Sequence, residues 1–400
     1  MRPGTDFGGS GMSGADREGT AEIRLESERS VSRTAPIRVL IVAPTIRYLG
    51  GQAVQARRLS SHLSSEAWAE VALLPVDPAL PHPFDALQRI KFVRTLVTSA
   101  AYVVSLLQNV WKYDVVHAFS ASYWSFLLAP VPAVIIGRLF GKRVIVNYRS
   151  GEADDHMARW GWHAIPLLRL AHVIATPSEY LVDVFQRHEL HATSVPNFLD
   201  LDALPFRRRV ELRPRFLSNR NFEAHYNVAD ILRAFSIIQR TCPDAELDVV
   251  GDGPLRSELH AIAASLGLVN VRFAGAVQPE RMIKFYQSAD VYLNAPLIDN
   301  MPSSIIEAFA TGVPVVTSDA GGIPYIVHHE VNGLLVPSGN PEALADAALE
   351  VLANPEAALA RADQARLDAT TRYCWSAVRQ RWHAVYAGET VSATTASAPA

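Results

Sequence analysis

Asn294-Ala295-Pro296-Leu297-Ile298-Asp299-Asn300-Met301-Pro302-Ser303-Ser304-Ile305-Ile306-Glu307-Ala308-Phe309-Ala310 is the stretch whose reading decides the fold. An apolar strand runs out through Pro296 into a short polar loop, and the pattern predicts a helix opening at Pro302. Proline suits the first helical position because its missing N–H would be an orphan donor there anyway. The free N–H groups of Ser303, Ser304 and Ile305 then point out of the helix start and make a seat for an anion such as phosphate. Asp299 stands in the loop before that seat and Glu307 about one turn inside the helix. A phosphate seat flanked by two carboxylates suits a nucleotide-sugar: Asp299, with Asn300, for hydroxyls of the sugar, and Glu307 for those of the ribose. The bland alternative is a β-loop-α crossover with surface acids.

The same strand-then-helix rhythm extends both ways. Short β-branched runs at 37–43, 71–75, 114–118, 144–147, 173–176 and 193–196 alternate with helical patterns such as 52–64 and 179–188. The rhythm pauses over the polar stretch 197–214, which contains Arg207, Arg208 and Arg209, and resumes with strands at 215–219, 246–250, 271–273, 291–294, 313–317 and 333–336. Strands alternating with helices mean βαβ units and parallel sheets. The expected fold class is α/β, with two facing Rossmann-like domains at about 36–205 and 206–372 and a final helical stretch, 373–387. Ligands of such sheets bind beyond the carboxyl ends of the strands, so the active site belongs in the cleft between the domains.

Four hundred residues, 49% of them hydrophobic, suffice for two cores. A net charge of −3 gives no reason to expect nucleic acid as a partner. Two cysteines, Cys242 and Cys374, make neither a disulfide framework nor a zinc cluster, and fit a reducing cytoplasm. Residues 1–35 and 388–400 read as disordered, and the first of these has no signal-peptide core. The apolar stretches 92–111 and 123–140 are interrupted by polar residues or prolines and read as helices packed on a sheet, not as membrane spans.

The segment around Asp299 and Glu307 resembles the donor site of the retaining, two-Rossmann-domain (GT-B) glycosyltransferases of family 4. Their signature is Glu, seven residues, Glu; here Asp299 replaces the first Glu. Further matches are Gly50-Gly51 after the first strand, Pro196-Asn197, Gly251-Asp-Gly253-Pro, Gly275, Ala320-Gly-Gly-Ile-Pro324 and Asn332-Gly-Leu-Leu-Val-Pro337, over about residues 37–387. The resemblance implies transfer of a hexose-type sugar from a nucleotide diphosphate, UDP or GDP by default, to a glycan, lipid-linked or small-molecule acceptor, with no metal and no other cofactor. It also implies a final helix packed back on the first domain, and a cytoplasmic protein with peripheral contact to the membrane.

By the same resemblance Gly50, Gly51, Arg220, Ser303 and Ser304 hold the donor diphosphate, and Asp299, Glu307 and Arg220 carry the catalysis. Relatives place a Lys five residues after the Arg; here His225 stands there. Asp114-Val-Val-His117 matches a buried strand ending in His, which is either a core histidine or a substrate contact. Where many relatives carry His-Asp, this chain has Tyr148 and Arg149, so with Glu152 these are the candidate groups on the acceptor or sugar side. Trp160-Gly-Trp162-His163 and His156 either line the acceptor cleft or pack a hydrophobic surface. Gly251-Asp-Gly253 lacks the third glycine of a dinucleotide fingerprint and reads as a structural turn. The competing readings are an epimerase or hydrolase of the same architecture, and a degenerate paralogue that binds a nucleotide or a partner without transfer.

Overall fold

A computed structural model describes residues 35–45, 51–80, 90 and 93–389. The first lobe runs β1 (Ile37–Ala43), α1 (Gly51–Leu63), β2 (Ala69–Pro75), α2 (Val93–Asn109), β3 (Val115–Ser120), α3 (Tyr123–Leu128), α4 (Pro130–Leu139), β4 (Arg143–Tyr148), α5 (Ala153–Leu168), β5 (Val173–Thr176), α6 (Glu179–Arg187) and β6 (Ala192–Ser194). The second runs β7 (Arg215–Asn219), α7 (Val228–Thr241), β8 (Glu246–Val250), α8 (Arg256–Ser265), β9 (Val271–Gly275), α9 (Pro279–Ser288), β10 (Val291–Asn294), α10 (Ser303–Thr311), β11 (Val315–Ser318) and β12 (Leu334–Val336). Three helices close the chain: α11 (Pro341–Ala353), α12 (Pro355–Arg372) and α13 (Trp375–Ala387).

Both sheets are six-stranded and parallel, ordered β2-β1-β3-β4-β5-β6 and β12-β11-β10-β7-β8-β9. The inner strands are largely buried apolar runs, as sheets covered on both faces require, while the edge strands β2 and β9 are partly exposed. In each sheet the strand order reverses once, between β1 and β3 in the first and between β7 and β10 in the second. Helices leave opposite faces there, opening a crevice at the carboxyl ends. The loop quoted above follows β10 and Arg220 follows β7, so both chemical segments emerge at the second sheet's switch point. The described residues from Ile37 onward, both sheets included, cluster as one compact unit.

Four expectations are refined. The stretch 123–140 forms two helices, not one, because Pro130 cannot continue α3 and instead opens α4. Pro302 is the residue before α10, with φ −67° and ψ 113°, so the helix begins at Ser303. The Ile305 N–H is then already bonded to the Pro302 carbonyl, which leaves Ser303 and Ser304 as the donors of the first turn. The polar stretch 197–214 holds a buried arginine: Arg209 donates to the carbonyls of Tyr286, Ala289, Thr311 and Gly312 and pairs with buried Asp290. It thereby ties the interlobe strand to the last turns of α9 and α10, whose carbonyls lack helical partners.

Helix α13 returns to the first lobe. Val378, Trp382, Val385 and Tyr386 share a core with Val39, Ile41, Phe119 and Ile145. No helix of the described residues is long and apolar enough to cross a membrane.

Candidate active site

Two close backbone approaches hold the second lobe's loops in place. Gly251 has φ +149°, and a Cβ there would lie 2.0 Å from the Arg220 carbonyl oxygen. A Cβ on Gly322 would lie 2.1 Å from the carbonyl oxygen of Asn300. Only glycine lets these turns press against the two segments. The Gly251-Asp-Gly253 turn is thus structural, as its sequence suggests.

Between the lobes lies a cavity of about 510 Å³. Its walls include Gly51, Gln52, Gln55, Arg149 and Glu152 from the first lobe and Arg220, His225, Asp299, Asn300, Ser303 and Ser304 from the second. Of the donor residues expected from sequence, these meet at one place. Gly50 lies outside the described residues.

Arg220 dominates the electrostatics. Its guanidinium forms an ion pair with Asp299, donates to Ser304 Oγ at 3.2 Å and stacks over Tyr226, 3.9 Å from the ring centroid. Burial alone would lower its pKa, but the Asp299 carboxylate and the nearby tyrosines raise it, so the cation is permanent. Its Nε is buried and has no hydrogen-bond partner among the described residues. Asp299, expected to face donor-sugar hydroxyls, has one oxygen on Arg220 and the other accepting from the Asn300 N–H at 2.8 Å. One methylene shorter than Glu, it stays against its own loop.

His225 reaches the cavity wall, and its carbonyl receives the Leu297 N–H at 2.8 Å, pinning the Asp299 loop to the β7 side. Its ring lies 3.7 Å from a Glu223 carboxylate oxygen and packs on Tyr226.

Glu307 lies behind the wall, outside the cavity lining. It accepts from the Tyr286 hydroxyl at 2.9 Å. Burial raises its pKa, opposed by the charge of Arg58 from α1 and by that hydrogen bond. Tyr286 is the hub that sequence reading missed. Its hydroxyl also lies 3.1 Å from the Ser304 carbonyl, which competes with Glu307 for the one proton, and accepts from Asn219 at 2.9 Å, joining the end of β7 to α10. In sequence it is one more apolar residue on a helix stripe.

On the first-lobe side, Arg149 and Glu152 face the cavity, while His117 and Tyr148 do not. His117 is fully buried between Tyr386, at 2.8 Å, and Asn147, at 3.1 Å, and stacks with Phe119. Burial, with Arg149 nearby, pushes its pKa down to about 3, so it is a neutral core histidine. Tyr148 is also fully buried, its hydroxyl between Ser122 and His156. Both side chains turn into packed layers, His117 from the middle of β3 and Tyr148 from the last residue of β4, in strands whose every residue or nearly every residue is buried, so alternation gives no direction. Arg149 bonds to Asn197, stands over Phe119, and has its pKa lowered by burial to about 10.

The lobes also touch directly. Gln55 donates to Ser303 Oγ at 3.1 Å, Asn197 donates to the Met301 carbonyl at 3.0 Å, and Ser178 donates to Asn300. Gln55 carried no sequence signal beyond its place on a helix. The loop that ends at α10 is therefore held from both sides.

Residues 205–368 match the family model described as glycosyl transferases group 1. That stretch, the second lobe, is similar to a group 1 glycosyltransferase domain. An uncharacterized glycosyltransferase of Methanocaldococcus jannaschii is similar to it, 32% identical over 144 residues, 36% of this chain and 37% of that protein. The phosphatidyl-myo-inositol mannosyltransferase of Mycobacterium leprae is 31% identical over 208 residues, 50% of this chain and 54% of that one. Both matches thus span little more than half of those relatives or less. The structure of Anabaena Alr3699/HepE in complex with UDP and glucose has a TM-score of 0.70 at 18% identity, covering 88% of this chain and 100% of that chain. Sucrose-phosphate synthase from Thermosynechococcus elongatus gives 0.69 at 19% identity, covering 88% and 98%. These likenesses show a GT-B fold, of which residues 205–368 form one lobe.

Proposed function

We propose that the chain is a retaining glycosyltransferase that moves a hexose-type sugar from a nucleotide diphosphate, UDP or GDP, to a glycan, lipid-linked or small-molecule acceptor. The observation that carries this reading is the convergence of Arg220 and the first turn of α10 on one interlobe cavity. A planar guanidinium beside two free helix-start donors matches a diphosphate. The UDP found in the Anabaena neighbour supports a nucleotide-linked donor.

In this reading Arg220 and the Ser303–Ser304 turn stabilise the charge that develops on the leaving diphosphate, with no metal required. The bond from C1 to the phosphate oxygen breaks, the acceptor oxygen bonds to C1 on the same face, and the acceptor proton passes to the departing phosphate. Glu307 takes the ribose hydroxyls once the donor opens a path to it. Arg149 and Glu152 meet the acceptor or the donor sugar.

The test is release of nucleoside diphosphate from UDP- and GDP-sugars with and without a panel of glycan, lipid-linked and small-molecule acceptors. Acceptor-dependent release supports transfer. Release that ignores the acceptor would assign a hydrolase, and no release with intact nucleotide binding would assign a degenerate binder.

A further inference from the structure

Arg149 follows directly on β4 and lines the interlobe cavity. A cation withdrawn from water is costly unless an anion replaces the lost hydration. Three other arginines withdrawn from solvent obey that rule. Arg220 pairs with Asp299, Arg209 pairs with Asp290, and the charge of Glu307 supports Arg58.

Arg149 has no ion pair among the described residues. Its guanidinium donates to Asn147 Oδ1 at 3.4 Å and to Asn197 Oδ1, and stands over Phe119, 5.4 Å from the ring centroid. Behind these the contacts run from Asn147 to His117 and on to Tyr386, and each of those groups is neutral. Burial lowers the Arg149 pKa to about 10 with no nearby carboxylate opposing the shift, which still leaves a cation at neutral pH. Glu152 shares the cavity wall, but its side chain is exposed and forms no ion pair with Arg149.

The guanidinium is also held ready. Two of its five N–H groups are engaged by the asparagines, so the planar fork keeps donors for an oxygen anion. Asn197 gives its Nδ2 to the Met301 carbonyl at 3.0 Å, which ties Arg149 to the loop leading into the Ser303–Ser304 turn. The cavity, about 510 Å³, thus has two cationic sides: Arg220 with the start of α10 on one lobe, and Arg149 on the other.

We propose that Arg149 seats a second substrate anion: besides the diphosphate, the transferred sugar or the acceptor carries a carboxylate or phosphate that pairs with this guanidinium. This rests on the transfer reading and names the chemistry of a further substrate group.

The experiment compares matched acidic and neutral ligands by isothermal titration of the full chain. UDP-glucuronate against UDP-glucose, and GDP-mannuronate against GDP-mannose, probe an acid on the donor sugar. Glucuronate and glucose 6-phosphate against glucose, each added to protein saturated with UDP or GDP, probe an acid on the acceptor. In at least one pair the acidic member should bind roughly tenfold more tightly or better, as hydrogen bonds to a charged group allow. Arg149→Gln should remove that preference, and Arg149→Lys, which keeps the charge without the fork, should keep part of it. The wild-type comparison decides the matter without any variant, so a misfolded Arg149→Gln does not spoil it. Equal affinity within every pair, with the nucleotide itself bound, overturns the proposal and leaves the transfer reading standing. Loss of UDP or GDP binding in Arg149→Gln as large as the loss of the acidic ligand would give Arg149 to the diphosphate and overturn it too. If no nucleotide binds at all, the transfer reading falls first and this proposal with it.

Discussion

Arg220 at the end of β7 and Asp299 on the loop after β10 form an ion pair across the second sheet's switch point, with 9% and 12% of their side chains exposed. The diphosphate proposed for this cavity would compete with Asp299 for the same guanidinium. Removing one partner of a nearly buried pair strands the other charge. Asp299→Ala should therefore lower stability by about 3 kcal/mol, and a bound nucleoside diphosphate should return part of it by resupplying the anion. The check is the rise in melting temperature with UDP or GDP, which should be larger in the variant. Equal rises would mean that the ligand does not meet Arg220.

Tyr286 should act on the site through Glu307. Its hydroxyl hydrogen-bonds the carboxylate and so favours the ionised form, against burial, which has raised the pKa. Tyr286→Phe removes that support and raises the pKa further. Because the ionised carboxylate accepts ribose hydroxyls more strongly than the protonated group, donor affinity in the variant should fall at a higher pH than in wild type as pH is lowered. Stability should drop by about 1–2 kcal/mol for the unmet Asn219 and Glu307 groups. Isothermal titration across pH 5 to 8 reads the shift, and superimposable profiles would remove Glu307 from the donor site.

Arg209 holds the interlobe strand to four carbonyls and to buried Asp290. Arg209→Ala leaves Asp290 short of one cation and opens the ends of two helices, a loss of about 3–5 kcal/mol. Arg209→Lys should recover little, since a single ammonium cannot reach the carbonyls that the planar fork spans. Denaturant midpoints measure both variants.

His117 contributes a pH dependence of known sign. Its folded pKa, about 3, lies below the unfolded value of 6.5, so the unfolded chain binds the extra proton between them. Stability from this group is complete above pH 6.5 and is lost as pH falls towards 3. In His117→Gln the slope of stability against pH in that window should be shallower by about 1.4 kcal/mol per unit. Denaturant titrations at several pH values supply the slope, and an unchanged slope would contradict the burial account.

Much of the architecture was legible because it rests on short, doubly buried runs. β5, β7, β8 and β10 have the bounds that the strand-then-helix rhythm suggests, and the loop between β10 and α10 was readable from Pro296, Pro302 and the serines. Less of the site was legible, since its details depend on where single side chains turn. His117 in the middle of β3 and Tyr148 at the end of β4 lie in strands buried on both faces, where alternation gives no direction. Asp299 is drawn to Arg220 by a charge 79 residues away in the chain. Tyr286 and Gln55 lie on amphipathic helices whose pattern hides a polar contact, and Arg209 is concealed in a stretch whose three arginines look solvated.

The central claim is that the cavity under Arg220 holds a nucleotide diphosphate. The most direct measurement is thermal melting of the full chain with UDP, GDP, ADP and their sugar conjugates, with and without EDTA, since a ligand specific for the folded state raises the melting temperature by mass action. The account predicts a clear rise with one base, unaffected by EDTA, and abolished in Arg220→Ala. No rise with any of these ligands at millimolar concentration, or a rise that Arg220→Ala retains in full, would contradict it.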